Sequence, residues 1–180
     1  MFDKDMQIRG KYATYWKALT QLPGNAVETS KNFKIFESYI SVYMVAPIIG
    51  LLYGKKVKYD SSDGVKDTAG MLAEVQIKNK SKLKYIYRLI VLSDTSLGLS
   101  EEEKINMAFR EDNNDESVKK GMELYTEYFL GGVEVLYKEF VENCTTDDDY
   151  IQKMFEFITD FKEEQGIDEK KVEIESLLGK

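Results

Sequence analysis

Basic side chains are concentrated between residues 55 and 88, where few carboxylates offset them and Tyr59 and Tyr85 lie among them. Such a surface can contact phosphates without reading base sequence, and it can equally receive an acidic protein. The alternative is an ordinary solvated surface. The candidate partner-binding or nucleic-acid-binding residues are Lys55, Lys56, Lys58, Lys78, Lys80, Lys82, Lys84 and Arg88.

The distribution of charge along the chain favours a protein partner. Residues 1–90 hold 15 Lys and Arg against 8 Asp and Glu, whereas residues 91–180 hold 10 against 24. If folding keeps these signs apart in space, the molecule is polarised and suited to dock onto other protein subunits or onto the opposite half of a second copy. Because the net charge is −7, direct DNA binding requires an orientation of the protein that keeps its acidic half away from the DNA.

The enzyme class that the residues allow is a metal-dependent nuclease. Asp67 precedes Glu74-Val75-Gln76, and such enzymes hold Mg²⁺ with an Asp followed by a strand that bears Glu-x-Lys or Glu-x-Gln. In those enzymes the motif lies in a parallel sheet, and the elements predicted for this chain do not include one. We therefore expect a non-catalytic protein with no metal and no cofactor, and we interpret the acidic run Asp147–Asp149 as a helix start.

The histidine and cysteine content and the lack of long apolar segments exclude several classes of site and location. The chain has no His and a single cysteine, Cys144, which excludes His-based triads, zincins, a disulfide within the chain and Cys-built metal sites. The N-terminus has no signal-peptide core, and the longest apolar run falls short of the roughly 20 residues that span a bilayer. We expect a cytoplasmic protein without membrane contact.

Hydrophobic spacing predicts a mainly all-α protein, a bundle of six or seven helices forming a single domain over residues 1–164. Residues 165–180 are an acidic C-terminal tail, which we interpret as a loosely docked helix. Residues 57–78 interrupt the pattern as an irregular or β-hairpin excursion, with Ala73–Lys78 alternating like a strand. In the last helix, Ile151, Met154, Phe155, Ile158 and Phe161 form one apolar stripe. The main helices are predicted near residues 5–22, 30–52, 81–93, 101–110, 118–141 and 146–164.

Small residues mark close helix contacts. Ala46, Gly50 and Gly54 recur every four residues on one face, and Gly131-Gly132 interrupts a later apolar stripe. Two glycines inside a helix cost about 2 kcal/mol relative to alanines, so this pair indicates either a break between helices or packing of backbone without side chains. Pro47 should bend or divide its helix and leave a carbonyl free nearby.

The motifs resemble those of small helical accessory proteins associated with DNA phosphorothioation (Dnd) systems. They are Phe36-x-x-Tyr39, Ala46-x-x-x-Gly50-x-x-x-Gly54-Lys55-Lys56 and Gly131-Gly132-Val133-Glu134-Val135-Leu136. The resemblance spans residues 33–143, and Pro47, a longer 55–80 segment and the acidic C-terminus depart from it. It implies a non-catalytic adaptor of a prokaryotic DNA-modification or phage-defence assembly, without catalytic residues to carry over. Direct nucleic-acid binding by residues 55–88 and the Mg²⁺-dependent nuclease remain the alternatives.

Overall fold

The computed structural model describes residues 1–20, 34–60, 64–110, 115–142, 144 and 146–164. The predicted tail lies outside these residues, and so does the predicted start of the helix over residues 30–52. Among the described residues that helix begins only at Tyr39. The predicted class is confirmed, because the described residues form seven helices and one small sheet. No helix among them is both long and apolar enough to span a membrane. In chain order the elements are β1 (Met6–Arg9), α1 (Lys11–Thr20), α2 (Tyr39–Leu52), β2 (Thr68–Met71), α3 (Ala73–Lys78), α4 (Lys80–Ser93), α5 (Glu101–Phe109), α6 (Asp115–Phe140) and α7 (Asp147–Glu164).

The sheet pairs two strands that are distant in sequence. β1 and β2 are antiparallel, with Met6 opposite Met71 and Arg9 opposite Thr68. The predicted β excursion is therefore present in β2, but its partner is the N-terminal segment and not a neighbouring strand. The helix predicted to start at residue 5 begins at Lys11 for the same reason, since the residues before it are held in the sheet.

The prediction of a strand over residues 73–78 is wrong, because these residues form the short helix α3. Contacts from the N-terminal segment favour the helix. The Asp5 carboxylate accepts a hydrogen bond from the Ala73 N–H at 2.8 Å, which satisfies one of the free donors of a helix start. The buried Gln76 side chain donates to the Lys4 carbonyl at 2.6 Å. Local alternation could not reveal these long-range bonds.

The core is centred on α2, which lies along α6. A Cβ added to Gly50 would overlap the Tyr128 carbonyl, one added to Gly132 would overlap the Ala46 carbonyl, and one added to Gly131 would overlap the Lys55 carbonyl. The two backbones thus approach more closely than side chains permit. Since α6 is continuous from residue 115 to residue 140, Gly131 and Gly132 serve packing and do not divide the helix.

Gly54 does not belong to this contact, contrary to the packing role predicted from its spacing. A Cβ at Gly54 would meet nothing within 4 Å, and its φ is +59°. The Lys55 N–H donates to the Gly50 carbonyl at 2.8 Å, and the Gly54 N–H donates to the Leu51 carbonyl at 3.1 Å. This pair of bonds is a Schellman motif, in which glycine supplies the left-handed residue that ends the helix.

Pro47 lies inside α2 without dividing it. Because proline has no N–H, the Tyr43 carbonyl one turn earlier loses its helical partner. The Tyr125 hydroxyl of α6 donates to this carbonyl at 2.8 Å. The free carbonyl predicted from the sequence is therefore present, and it links α2 to α6.

Aromatic rings fill the space between α1, α2 and α6. Trp16 is completely buried, and its ring centroid lies 5.0 Å from those of Tyr39 and Phe129. The indole N–H donates to the Tyr39 carbonyl at 3.3 Å. Phe2 reaches the same core and meets the edge of Tyr125 at 5.4 Å. The rings named here therefore fill the core.

Two helices, α5 and α7, begin with acidic side chains, and the start of α7 agrees with the interpretation of Asp147–Asp149. The Glu103 carboxylate accepts the Ser100 N–H at 2.8 Å, and Ser100 Oγ accepts the Glu103 N–H at 3.3 Å, which is a capping box. At α7 the Thr146 N–H donates to Asp149 Oδ2 at 2.8 Å, and the Asp149 N–H donates to Thr146 Oγ1 at 3.2 Å. In the described part of the chain, no group of three or more carboxylates or thiols is arranged to hold a metal ion.

Candidate interaction surface on α4 and α5

The structure divides the predicted basic residues into separate groups. Lys55 and Lys56 follow α2, where Lys55 Nζ lies 3.6 Å from Glu134 Oε1 and Lys56 Nζ lies 3.4 Å from Asp94 Oδ2. Both carboxylates come from the acidic half of the sequence, so the two signs meet here. Both lysines are therefore paired with carboxylates of the same chain.

The position of Lys56 is explained by the buried carboxylate of Asp94. This carboxylate accepts hydrogen bonds from the Tyr128 hydroxyl at 2.6 Å, the Ser96 N–H at 2.8 Å and the Leu97 N–H at 2.9 Å. Burial raises the pKa of Asp94, but these bonds and the Lys56 charge outweigh it and hold the pKa below its ordinary value. Lys56 Nζ also contacts Ser96 Oγ. The Lys56 side chain is therefore held within the fold by Asp94 and Ser96.

The other candidates lie on α3, on α4 and on the segment after α2. Lys58 borders a groove that is also lined by Lys119 of α6. Lys78 forms an exposed pair with Glu74 at 2.8 Å. Residues 80–93 contain no Asp or Glu, and this helix carries the four remaining cations of the predicted site, which are Lys80, Lys82, Lys84 and Arg88.

The arrangement required for a nuclease does not form. Glu74 and Gln76 lie on a helix, so they do not share one face as they would on a strand. Gln76 is buried, whereas the side chain of Glu74 is 72% exposed. The Asp67 carboxylate accepts a hydrogen bond from Thr14 Oγ1 at 3.0 Å and pairs with Lys17. The two carboxylates are therefore engaged in separate contacts and do not converge on a metal position.

α4 is apolar on two faces. Its inward face is formed by buried Leu83, Ile86, Tyr87, Ile90 and Val91. A second stripe faces solvent, with Tyr85, Leu89 and Leu92 exposed by 71%, 37% and 38%. Their separations of four and three residues place them on one side of the helix. The grouping of these side chains on one exposed face makes the stripe a candidate interaction site.

α5 lies antiparallel beside α4 and extends this stripe. Lys104 Nζ lies 3.4 Å from the Leu92 carbonyl, and Arg88 Nε donates to the Ala108 carbonyl at 3.1 Å. The Arg88 guanidinium also lies 4.7 Å from the ring centroid of Phe109. Phe109 and Ile105 of α5 are both exposed. We define the α4–α5 surface as Lys82, Tyr85, Arg88, Leu89, Leu92, Ile105 and Phe109.

The charge pattern identified the cations of this surface together with Tyr85, whereas its other apolar residues were not predicted. The available signal was an excess of large apolar side chains, because α4 carries eight of them in fourteen residues. A single inward stripe needs about half of a helix's positions at most. The remainder had to lie on another face.

A groove of about 590 Å³ lies between residues 1–8 and α6. Its polar side chains hold the N-terminal segment in place. Gln76 donates to the Lys4 carbonyl, as described above, and the Tyr59 hydroxyl accepts the Arg9 N–H at 2.9 Å. These groups are therefore already engaged in contacts within the chain.

Comparison with known proteins supplies no relative for this chain: no protein-family model, no curated protein and no solved structure matches it.

Proposed function

We propose that this chain is a non-catalytic adaptor that binds another protein through the α4–α5 surface. The observation that carries the proposal is the exposure of three large apolar side chains on α4, a helix with four cations and no carboxylate, and of two more on the neighbouring α5. The partner that fits is an acidic amphipathic helix, whose apolar residues would pack on the stripe while its carboxylates face Lys82 and Arg88.

The energy of such binding would come mainly from the apolar stripe. A few aromatic and aliphatic anchors usually dominate an interface, and Tyr85 is the most exposed one here. The cations would contribute orientation and rate of encounter more than affinity. Arg88 is already held by the Ala108 carbonyl and the Phe109 ring, so it would lose little side-chain entropy on binding.

The resemblance to Dnd accessory proteins supports a prokaryotic DNA-modification or phage-defence assembly as the setting of this adaptor. Among the residues that carry the resemblance, Ala46, Gly50 and Gly132 explain the contact of α2 with α6. They are not part of the α4–α5 surface. The proposed setting is therefore tested by the identity of the partner and not by the fold.

A photo-crosslinking amino acid at position 85, introduced into the full chain in its native cells, tests the adaptor proposal. We expect crosslinking to a protein through an acidic helical segment, and we expect Leu89→Asp to abolish it. The matched control is the same amino acid at exposed position 66. An equal pattern of products from positions 66 and 85, or an unchanged product with Leu89→Asp, would contradict the proposal.

Direct nucleic-acid binding is the second candidate, and it is supported by three lysines on α4 together with the exposed ring of Tyr85. Filter binding with a short DNA duplex separates the two functions. Nucleic-acid binding predicts an affinity that falls steeply with salt and is lost when Lys80, Lys82 and Lys84 are changed to Glu. Leu89→Ser should leave that affinity unchanged, whereas it should weaken protein docking.

A further inference from the structure

α7 exposes a second apolar stripe. The sequence groups Ile151, Met154, Phe155, Ile158 and Phe161 in one apolar stripe, and the structure divides this stripe between two faces of the helix. Tyr150 is buried, and Met154 and Phe157 pack against the core. The side chains that remain exposed, by 54%, 72% and 50%, are Ile151, Phe155 and Ile158, which we name the α7 ridge.

The α7 ridge has the same spacing as the outer stripe of α4. Ile151, Phe155 and Ile158 are separated by four and three residues, as are Tyr85, Leu89 and Leu92. This alternation of three and four is the spacing with which two helices interlock side chains at a shallow crossing angle. The two stripes can therefore pack on each other residue by residue.

The net charges of α4 and α7 have opposite sign, whereas α5 begins with the carboxylates Glu101, Glu102 and Glu103. Lys82 lies three residues before Tyr85, and Asp148 lies three residues before Ile151. Each charge is therefore about one helical turn before the first apolar residue of its stripe. Side by side in parallel, the two helices would place Lys82 against Asp148. Over residues 148–164, α7 holds six carboxylates against two lysines, whereas α4 holds four cations and no carboxylate.

Within one molecule the two stripes do not cover each other, because both are exposed. α7 packs at the far end of α6, where the Phe157 ring centroid lies 5.0 Å from that of Phe140 and 6.3 Å from that of Tyr53. The described residues of the chain cover neither stripe. A second copy of the chain supplies both stripes at once.

We propose that the α7 ridge of one copy docks on the α4–α5 surface of a second copy, with Phe155 packing against Leu89 and Asp148 facing Lys82. This inference rests on the proposed function, since it names the partner of the same surface. The contact joins two different surfaces. It therefore closes as a reciprocal dimer if the geometry permits two such contacts, and otherwise it propagates head to tail.

Analytical ultracentrifugation of the full chain tests the inference with two complementary variants, Phe155→Asp and Leu89→Asp. Each variant alone should be monomeric, whether the wild type forms dimers or longer chains. An equimolar mixture should form a one-to-one dimer, because each variant retains the surface that the other has lost. The control is Leu72→Asp, which changes an exposed leucine between β2 and α3 and should associate like the wild type.

Exchanging the charges of Lys82 and Asp148 tests the register, that is, which residues of α4 and α7 lie opposite each other. Lys82→Glu should weaken association about two- to fivefold, as expected for an exposed ion pair, and adding Asp148→Lys in the same chain should restore it. The wild-type association should also weaken at high salt. Failure of the second substitution to restore association would overturn the proposed register.

The outcomes separate this inference from the adaptor proposal. A wild-type chain that stays monomeric at high concentration overturns the inference, and so does self-association that persists in either single variant. If such a monomer is still crosslinked from position 85 to an acidic helix of another protein, the adaptor proposal stands without self-assembly. Dimerisation of the mixture, with both single variants monomeric, supports the inference.

Discussion

The contact between α2 and α6 differs from the α4–α5 surface in the size of the residues involved and in what those residues contact. At the first, glycines bring two backbones together, and an added carbon atom has no room. At the second, large apolar side chains of α4 point to solvent. Both sets of residues look hydrophobic or small in sequence, but only the first is part of the folded core. Substitutions at the first should therefore change the free energy of unfolding, whereas substitutions at the second should change association.

Gly132→Ala should produce the largest effect. Alanine favours a helix by about 1 kcal/mol over glycine, but the new Cβ would overlap the Ala46 carbonyl, and rigid backbone must move to relieve it. We expect a net loss of about 3 kcal/mol or more in the free energy of unfolding, measured by urea denaturation with circular dichroism. The control is Gly54→Ala, where space is open and only the left-handed conformation costs about 1–2 kcal/mol. Equal losses at both positions would contradict the close contact.

Asp94→Asn should have the next largest effect, because it removes the negative charge of a carboxylate that accepts several hydrogen bonds. We expect a loss of about 2 kcal/mol near neutral pH. The pKa of Asp94 is below its ordinary value of 3.8, so its charged form stabilises the fold above that value, and this stability is lost as the pH falls through the folded-state pKa. The difference between wild type and variant should thus shrink in acid. A difference that is independent of pH would contradict the network.

Tyr125→Phe should cost about 1–2 kcal/mol, because it leaves the buried Tyr43 carbonyl without a donor. The double-mutant cycle with Pro47→Ala sharpens this test. Alanine at position 47 restores an N–H that can donate to the same carbonyl, so Tyr125→Phe should cost less in that background. If the cost of Tyr125→Phe is the same in both backgrounds, the hydroxyl does not replace the missing helical bond.

The smallest effect on folding is expected for Leu89→Ala. Leu89 is partly exposed, and surface substitutions usually change stability by less than about 0.5 kcal/mol. Its matched control on the same helix is Leu83→Ala, which removes a completely buried side chain and should cost about 2–5 kcal/mol. A large loss of unfolding free energy for Leu89→Ala would mean that the outer stripe belongs to the core.

The sequence was sufficient to predict those features that depend on neighbouring residues. The inward stripe of α4 follows from helical spacing, and the start of α5 follows from Ser100 and Glu103. Features that depend on distant residues were not predictable in this way. β1 needs β2 as a partner, and α3 is selected by bonds from residues 4 and 5.

The residues of the candidate site show the same difference between local and long-range contacts. Lys82 and Arg88 were identified from charge alone, since α4 has no carboxylates to pair with them. Lys55 and Lys56 belong to the same run of charge but find Glu134 and Asp94, which are far away in sequence. The exposure of Tyr85 and Phe155 depends on which side of each helix faces its neighbours, and spacing alone does not determine this.

Trp16 gives the chain a built-in optical reporter. It is the only tryptophan, and it is enclosed between α1, α2 and α6, so its emission should shift to longer wavelength when that core opens to water. The α4–α5 surface does not include it, and docking there should leave the emission unchanged. Intrinsic fluorescence can therefore follow folding in unlabelled protein while association proceeds.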